Sequence, residues 1–235
     1  LKYIKGTDAK ADLSMGRINV WTTAEAAANV PTVVSVGKRV YSNFSWGYNH
    51  NLDAFNDGNN STAHWVYIGK SNIGNALYGF KLDEDTKEQI YDADGKPVFV
   101  EGFFDHVIDL EAKFPIEKVV VNQNKSYEGS VNGVLVSNDP TFSSSVPLSY
   151  DSANNEYYLN SALVPVFGTD FKYVKVLLTP GVRGNDWMVA INEVSVYSTS
   201  QAAAAATDVN DRTNIALGKK VTTNAGSGAY YANSG

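Results

Sequence analysis

Short runs of alternating or β-branched residues, separated by turn-forming clusters, recur through the middle of this 235-residue chain. The runs are Val30–Val36, Phe104–Leu110, Ile116–Val121, Val131–Ser137, Tyr173–Leu178 and Glu193–Tyr197. Turn clusters occupy Ser137–Pro140, Asp151–Asn155 and Gly181–Asp186. Because side chains alternate between the two faces of a strand, this pattern predicts short half-buried strands. Many short strands with turns between them predict an all-β, antiparallel sandwich with little helix.

Two passages occur twice and predict a modular organisation. Ile18–Ala28 returns as Val194–Ala204, and Gly37–Asn43 returns as Gly218–Asn224. Each copy has a strand pair, an alanine-rich joint and then a Gly-Lys opening. This order predicts the tail of a similar module at 1–23, a linker at 24–32 and a complete module at 33–199. An alanine-rich linker at 200–213 and the start of a further module at 214–235 follow. Neighbouring modules of the same chain are therefore expected partners.

Composition excludes several classes of partner and site. The net charge is -6, and no basic stripe follows the chain, which argues against nucleic acid and against an anionic membrane surface. No apolar run approaches the roughly 18 residues that span a bilayer, so membrane insertion is not expected. The chain has no cysteine, which excludes disulfides and thiolate metal sites. Abundant Tyr, Asn, Ser, Thr and Gly favours a β-rich extracellular protein over a helical enzyme.

Four motifs in order give the chain a resemblance to a known family. They are Gly37–Val40 followed by Asn51–Gly58 and Thr62–Trp65; Val107–Leu110 with Ile116–Val119; Val134–Asp139; and Lys172–Val176 with Ile191–Tyr197. This series resembles the F5/8 type C (discoidin) family, including the family 32 carbohydrate-binding modules. The match covers about 37–198, and Asn214–Val221 resembles the family's opening again.

The resemblance implies a jelly-roll β-sandwich, secretion to the outside or surface of a bacterial cell, and sugar binding by loops at one end. It also implies a structural calcium ion, Ca2+. The positions that match the family's ligands are Asp57, Asn59, Thr62 and Glu193. Calcium prefers six to eight oxygen ligands, and carboxylates, carbonyls and a hydroxyl supply them. One extra residue separates Asp57 from Trp65 compared with the family pattern, which bears on the hydroxyl ligand. Trp65 itself is expected to pack in the core or under this loop.

Three loops have the composition of a sugar site, in which an aromatic ring stacks on a pyranose and planar polar groups hold its hydroxyls. The predicted ligand-binding residues are Arg183, Asn185 and Trp187 in the last loop, Asn124, Lys125 and Tyr127 after the 119–121 run, and Trp46 and His50 in a third loop. Ordinary packing at the rim of the sandwich is the alternative for each of them.

Residues 66–103 form an insertion relative to the family pattern. It includes an acidic stretch and a predicted hairpin turning at Asp94-Gly95. Three interpretations stay open from the sequence: a decorating hairpin, a partner-binding lobe, or part of the ligand rim.

No catalytic motif supports an enzyme. The three histidines show no metal-ligand spacing, and neither a Gly-x-Ser-x-Gly elbow nor an EF-hand loop is present. Two functions remain open: a non-catalytic carbohydrate-binding module of a large secreted protein whose glycoside hydrolase or lyase domain lies elsewhere, or a structural repeat of a surface adhesin or filament that binds no sugar.

Overall fold

The computed structural model describes residues 30–42, 51–126 and 129–209, except for the side chains of 205–209. The predictions for residues 1–23 and 214–235, and those for Trp46, His50 and Tyr127, lie outside these ranges. No helix in the described ranges is long and apolar enough to cross a bilayer.

Strands dominate the described part of the chain. They are β1 (Pro31–Val33), β2 (Arg39–Ser42), β3 (His64–Ile68), β4 (His106–Pro115), β5 (Lys118–Gln123), β6 (Ser130–Ser137), β7 (Val146–Asp151), β8 (Glu156–Leu159), β9 (Asp170–Thr179), β10 (Gly181–Arg183) and β11 (Asp186–Thr199). Short 3₁₀ helices span Leu52–Phe55, Lys70–Asn72 and Ala76–Tyr78, and α-helices span Val164–Phe167 and Ser200–Val209.

These strands form two antiparallel sheets that face each other. Sheet I contains β1, β3, β5, β8, β10 and β11, and sheet II contains β2, β4, β6 and β9. Strand β7 belongs to both, because Val146 and Pro147 pair with β6 while Leu148–Asp151 pair with β8. A strand that changes sheet makes a corner of the sandwich. The predicted fold class, an antiparallel jelly-roll sandwich, is confirmed.

The core lies between the sheets and follows the alternation seen in the sequence. On sheet II, Ile108 of β4 and Val174 and Val176 of β9 are fully buried, and on sheet I Val194 and Val196 of β11 are equally buried. Alternate residues of the same strands are partly exposed on the outer faces. Burial of these β-branched side chains supplies the main driving force for folding.

The long strand β11 organises sheet I. Its second half lies between β1 and β5, and its first half lies between β3 and β10. The segment predicted as the turn Gly181–Asp186 is instead a tight hairpin, in which Gly181–Arg183 pair with Asp186–Met188.

The 66–103 insertion is folded onto the end of the sandwich. Phe80 is fully buried and stacks on Phe99 at 4.9 Å between ring centroids. Phe99 in turn meets Phe104 at 5.2 Å. The predicted turn is confirmed, since Tyr91 bridges Pro97 around Asp94-Gly95. The insertion therefore contains the predicted hairpin and contributes aromatic rings to the core, while a role in partner binding or in the ligand rim stays a prediction.

Both predicted linkers are structured where they are described. Strand β1 begins at Pro31, inside the predicted 24–32 linker, and pairs with the end of β11. The alanine-rich segment forms the helix Ser200–Val209, in which Ala202 and Ala203 pack against the core. An isolated helix of this length is marginal in water, so this packing is what stabilises it.

Candidate functional site

The loop 57–62 is built around the side chain of Asp57. Its Oδ1 accepts the backbone amide of Asn59 at 2.8 Å, and its Oδ2 accepts the hydroxyl of Thr62 at 2.8 Å. The same hydroxyl lies 2.8 Å from the carbonyl oxygen of Asn59. Three of the four predicted metal ligands therefore lie together in one short loop, although the sequence has an extra residue here.

A β-bulge on β11 brings the fourth predicted ligand to this loop. The register between β5 and β11 shifts between Ile191 and Glu193, so that Asn192 is an extra residue opposite Asn122. Bulges redirect side chains locally. Here Asn192 Nδ2 donates to the carbonyl of Asn60 at 3.1 Å, and Asn122 Nδ2 donates to the Asn60 side chain at 2.8 Å.

Glu193 is a buried carboxylate with unused bonding capacity. Its side chain is 3% exposed, and its Oε2 accepts the amide of Gly58 at 2.9 Å. Its Oε1 is buried and has no hydrogen-bond partner within the described residues. Burial raises the pKa of Glu193 to about 7; the Gly58 amide opposes this shift, and the neighbouring Asp57 carboxylate adds to it. A buried carboxylate oxygen is costly to leave unpaired, so this position suits a cation.

The donor set fits a hard cation. Asp57 and Glu193 supply carboxylates, Asn59 a carbonyl and Thr62 a hydroxyl, all of them oxygen ligands of the kind that calcium prefers. Within the described ranges, no cluster of three or more His, Asp or Glu side chains could hold a metal. An ion at this loop would therefore depend on main-chain and hydroxyl oxygens as well as on the two carboxylates.

Trp187 does not lie where a sugar ring could stack on it. Its side chain is 7% exposed and belongs to the hydrophobic core. Its ring meets Phe80 edge-on at 5.5 Å and Phe99 at 6.3 Å. The prediction that Trp187 is a stacking platform is at odds with this burial. The reason is register: Trp187 pairs with Ile68 and shares its inner face, and the insertion covers it.

Trp65, in contrast, has a partly exposed ring. Of the two alternatives expected for it, packing in the core is wrong, because its side chain is 38% exposed, and packing under the loop 57–62 stays a prediction. On β3, His64, Val66 and Ile68 point inward and are buried, which places Trp65 and Tyr67 on the outer face. Trp65 pairs with Ala190, and Tyr67 pairs with Met188.

Polar groups lie on the same outer face of sheet I, toward the far end of β3 from Trp65. The hydroxyl of Tyr67 donates to Asp186 Oδ2 at 2.7 Å, and the amide of Lys70 donates to Asp186 Oδ1 at 2.9 Å. These bonds hold the pKa of Asp186 below its ordinary value, the Tyr67 hydroxyl contributing most. The Arg183 guanidinium lies 3.9 Å from the sulfur of Met188. We call Trp65, Tyr67, Arg183, Asp186 and Met188 the Trp65 face.

The remaining described candidates lie at the edges of this face. Asn185 is exposed at the tip of the β10–β11 hairpin, next to Arg183. Asn124 follows β5, and its amide donates to the carbonyl of Ala190 at 3.0 Å, on the strand position paired with Trp65. Lys125 is exposed immediately after it. Arg183, Asn185, Asn124 and Lys125 therefore flank the Trp65 face from two loops.

Two of the three histidines are part of the core. His64 and His106 are 1% and 0% exposed, and their rings lie 4.6 Å apart between centroids. Phe55 stacks on His106 at 4.9 Å. His106 Nδ1 lies 2.8 Å from the carbonyl of Phe104, so the neutral ring carries its proton on that nitrogen. Burial lowers the pKa of His106 to about 4, which keeps the ring neutral at physiological pH.

Comparison with known proteins gives structural likeness only. No family model matches the chain, and no curated protein matches it. Chitosan-binding module 1 from a chitosanase/glucanase of Paenibacillus sp. IK-5 is 15% identical over 71% of this chain and 99% of that chain, with a TM-score of 0.43. Truncated AlyQ, with CBM32 and alginate lyase domains, is 13% identical over 73% and 34% of the two chains, with a TM-score of 0.43. The module CpGH89CBM32-6 from Clostridium perfringens is 13% identical over 71% and 99%, with a TM-score of 0.39. Identities and TM-scores this low assign no function to the chain.

Proposed function

We propose that this chain is a non-catalytic, extracellular carbohydrate-binding module. The observation that carries the proposal is the Trp65 face, where a 38% exposed indole shares the outer surface of sheet I with the fixed polar groups of Tyr67 and Asp186. An indole ring covers the apolar face of a pyranose, and a carboxylate and a guanidinium bind its hydroxyls. Asp186 is already oriented by Tyr67 and Lys70, so little ordering is needed when a ligand arrives.

The predicted polar ligands extend this face on both sides. Arg183 and Asn185 project from the β10–β11 hairpin, and Asn124 and Lys125 follow β5 next to the partner of Trp65. We assign them the recognition of sugar hydroxyls beyond the ring that contacts Trp65. A single such site is expected to bind weakly, and repetition of the module would raise the avidity.

We also propose a structural calcium ion at the loop 57–62, held by Asp57, Asn59, Thr62 and Glu193. The support is the buried Oε1 of Glu193, which has no hydrogen-bond partner among the residues that the structure describes and lies beside the carboxylate-centred loop. Bound calcium would neutralise the two neighbouring carboxylates and fasten the loop to the bulge of β11. The loop leads directly into β3, so the ion would help to position the strand that carries Trp65.

The test is a glycan array probed with the full chain, followed by titration of the best hit. Trp65→Ala is expected to weaken binding about tenfold or more, while the variant keeps the circular dichroism spectrum of the folded chain. Tyr91→Ala is the matched control, since this tyrosine is 53% exposed on the insertion. Absence of binding to every glycan, together with self-association of longer tandem forms, would favour the structural-repeat function instead.

A further inference from the structure

A groove of about 510 Å³ lies on the outer face of sheet II, on the opposite side of the sandwich from the Trp65 face. Its floor is formed by β2, β4 and β9. Tyr41, Val107 and Lys175 lie side by side in one row across the three strands, and Asp109 and Tyr173 lie side by side in the next row. These positions alternate with the buried core residues, so their side chains point outward.

Two walls turn this strip of sheet into a groove. One wall is the turn 102–105, in which the amide of Asp105 donates to the carbonyl of Gly102 at 3.3 Å. The other is the loop 138–143, which places Pro140 and Thr141 at the rim. Asp139 holds that loop, since it accepts the amide and the hydroxyl of Thr141 and both the amide and the hydroxyl of Ser143. The walls are therefore formed without a ligand.

Two tyrosine rings are held in place within the groove. Tyr41 is 45% exposed, and the Arg39 guanidinium lies 5.7 Å from its ring centroid and donates to its hydroxyl at 3.2 Å. The Nζ of Lys172 lies 5.1 Å from the ring centroid of Tyr173. Two strand spacings and the offset of one row separate the two tyrosines by roughly 12 Å across β4, so the rings would contact non-adjacent units of an extended oligosaccharide.

Fixed polar groups lie between and beside these rings. Asp109 accepts the amide of Glu111 at 2.8 Å and lies 3.6 Å from the Lys172 ammonium. Asp105 accepts the amide of Leu178 at 3.4 Å, and its burial raises its pKa, with that amide opposing the shift. The Nζ of Lys175 lies 4.2 Å from the Phe142 ring centroid. The negative charges of Asp105 and Asp109 offset the positive charges of Lys172 and Lys175. The groove therefore lacks the uniform positive charge that binding of an acidic polymer would require.

From this combination we infer that the groove is a second carbohydrate site, which takes a neutral oligosaccharide along the outer face of sheet II. Tyr41 and Tyr173 cover the apolar faces of sugar rings, Asp105 and Asp109 accept hydroxyl hydrogens, and Lys175 and Thr141 complete the polar lining. The ligand class is that of the proposed function, but no residue is shared with the Trp65 face. The two sites face away from each other, so one module can cross-link two glycan chains.

The experiment is a titration of the full, isotope-labelled chain with neutral hexasaccharides of β-1,4-linked glucose, xylose, mannose and N-acetylglucosamine, and with hexagalacturonate as an acidic counterpart. At least one neutral probe is expected to shift the backbone amides of Val107, Tyr173 and Lys175 saturably. Because this readout needs no substitution, it does not depend on the folding of any variant. No shift of these amides with any neutral probe, or a shift with hexagalacturonate alone, would overturn the inference.

Variants separate the two sites. Tyr41→Ala is expected to lower the affinity measured at the groove amides about tenfold, and Asp105→Asn about threefold. Tyr91→Ala is expected to leave this affinity unchanged. Trp65→Ala is expected to leave the affinity measured at the groove amides unchanged. If Tyr41→Ala has no more effect than Tyr91→Ala, the groove inference fails while the Trp65 site stands. If the groove amides respond while Trp65→Ala changes no binding at all, the Trp65 site fails while the groove stands.

A further titration tests whether the groove binds a polypeptide instead of a sugar. A hydrophilic octapeptide is titrated under the same conditions as the oligosaccharides. Groove amides that move with the peptide and with none of the sugars would assign the groove to a polypeptide and overturn the carbohydrate inference. Movement with a neutral sugar and not with the peptide supports it.

Discussion

Trp65 and Trp187 lie on neighbouring, paired strands of the same sheet but differ in solvent exposure. Trp65 faces outward on β3 and is 38% exposed, whereas Trp187 faces inward on β11 and is 7% exposed against Phe80 and Phe99. The loop composition around Trp187 resembles a sugar site, and the segment around Trp65 resembles a packing motif. The difference shows that strand register, and not the polarity of the flanking residues, decides which aromatic ring meets solvent.

Alanine substitution of the two tryptophans should lower the free energy of unfolding by very different amounts. Trp187→Ala should lower the free energy of unfolding by about 3–5 kcal/mol, because it opens a cavity among the insertion's aromatic rings. Trp65→Ala should lower it by clearly less, about 1–2 kcal/mol, because more than a third of the residue already lies in solvent and its loss opens no closed cavity. Urea unfolding monitored by circular dichroism measures both. Equal losses in the two variants would contradict the assignment of faces.

Acid should destabilise the inner face on which the buried histidines lie. The folded-state pKa of His106 is depressed from 6.5 to about 4 by burial, so the unfolded chain binds the proton more readily. Stability from the neutral ring is thus fully present above about pH 6.5 and is lost as pH falls toward 4, by no more than about 3 kcal/mol. The raised pKa of Glu193 acts with the opposite sign in the same range, so the measurement is the difference in melting temperature between the parent chain and a His106 variant at each pH.

His106→Gln is the variant that isolates this contribution, because glutamine can still donate a hydrogen bond but does not titrate in the range. It should remove the loss of stability that His106 causes between pH 6.5 and 4 and leave the opposite contribution of Glu193 in place. An unchanged slope in this variant would assign the acid sensitivity to other groups.

Calcium should act on the loop that leads into the outward-facing strand. If the ion binds Asp57 and Glu193, calcium at about a hundred times its dissociation constant adds about 2.7 kcal/mol, and a chelator removes it. Differential scanning calorimetry with and without chelator measures the change. Glu193→Gln should abolish the calcium effect, whereas Asp53→Asn, an exposed carboxylate nearby, should keep it. A melting temperature indifferent to calcium would exclude the ion.

Iodide quenching of tryptophan fluorescence should distinguish the exposed Trp65 ring from the buried Trp187 ring. Trp65→Phe should remove fluorescence that iodide quenches, because its indole is exposed to solvent. Trp187→Phe should remove blue-shifted fluorescence that iodide does not reach, because its indole is buried. Stern–Volmer plots of the two variants and the parent chain give the quenchable fraction. Quenching lost equally in both would contradict the opposite orientations.

Much of the fold was predictable because it depends on local patterns. The alternating runs at 104–110, 116–121, 131–137, 173–178 and 193–197 all lie within or overlap strands β4, β5, β6, β9 and β11. The turn at Asp94-Gly95 is likewise present, since glycine readily adopts the positive φ of 74° found at Gly95. The grouping of Asp57, Asn59, Thr62 and Glu193 was also anticipated, through the family resemblance.

The sugar-binding surface was less predictable because it depends on pairing between distant segments. Local patterns in the sequence set which segments become strands, where the chain turns, and which alternate residues are apolar. Pairing between distant segments set which face of β3 is covered, how the bulge at Asn192 turns Glu193 toward the loop, and that Tyr41 and Tyr173 lie on either side of β4. This division follows from the two-residue period of a strand, because a shift of one residue in register exchanges its buried and exposed faces, and no local signal records that register.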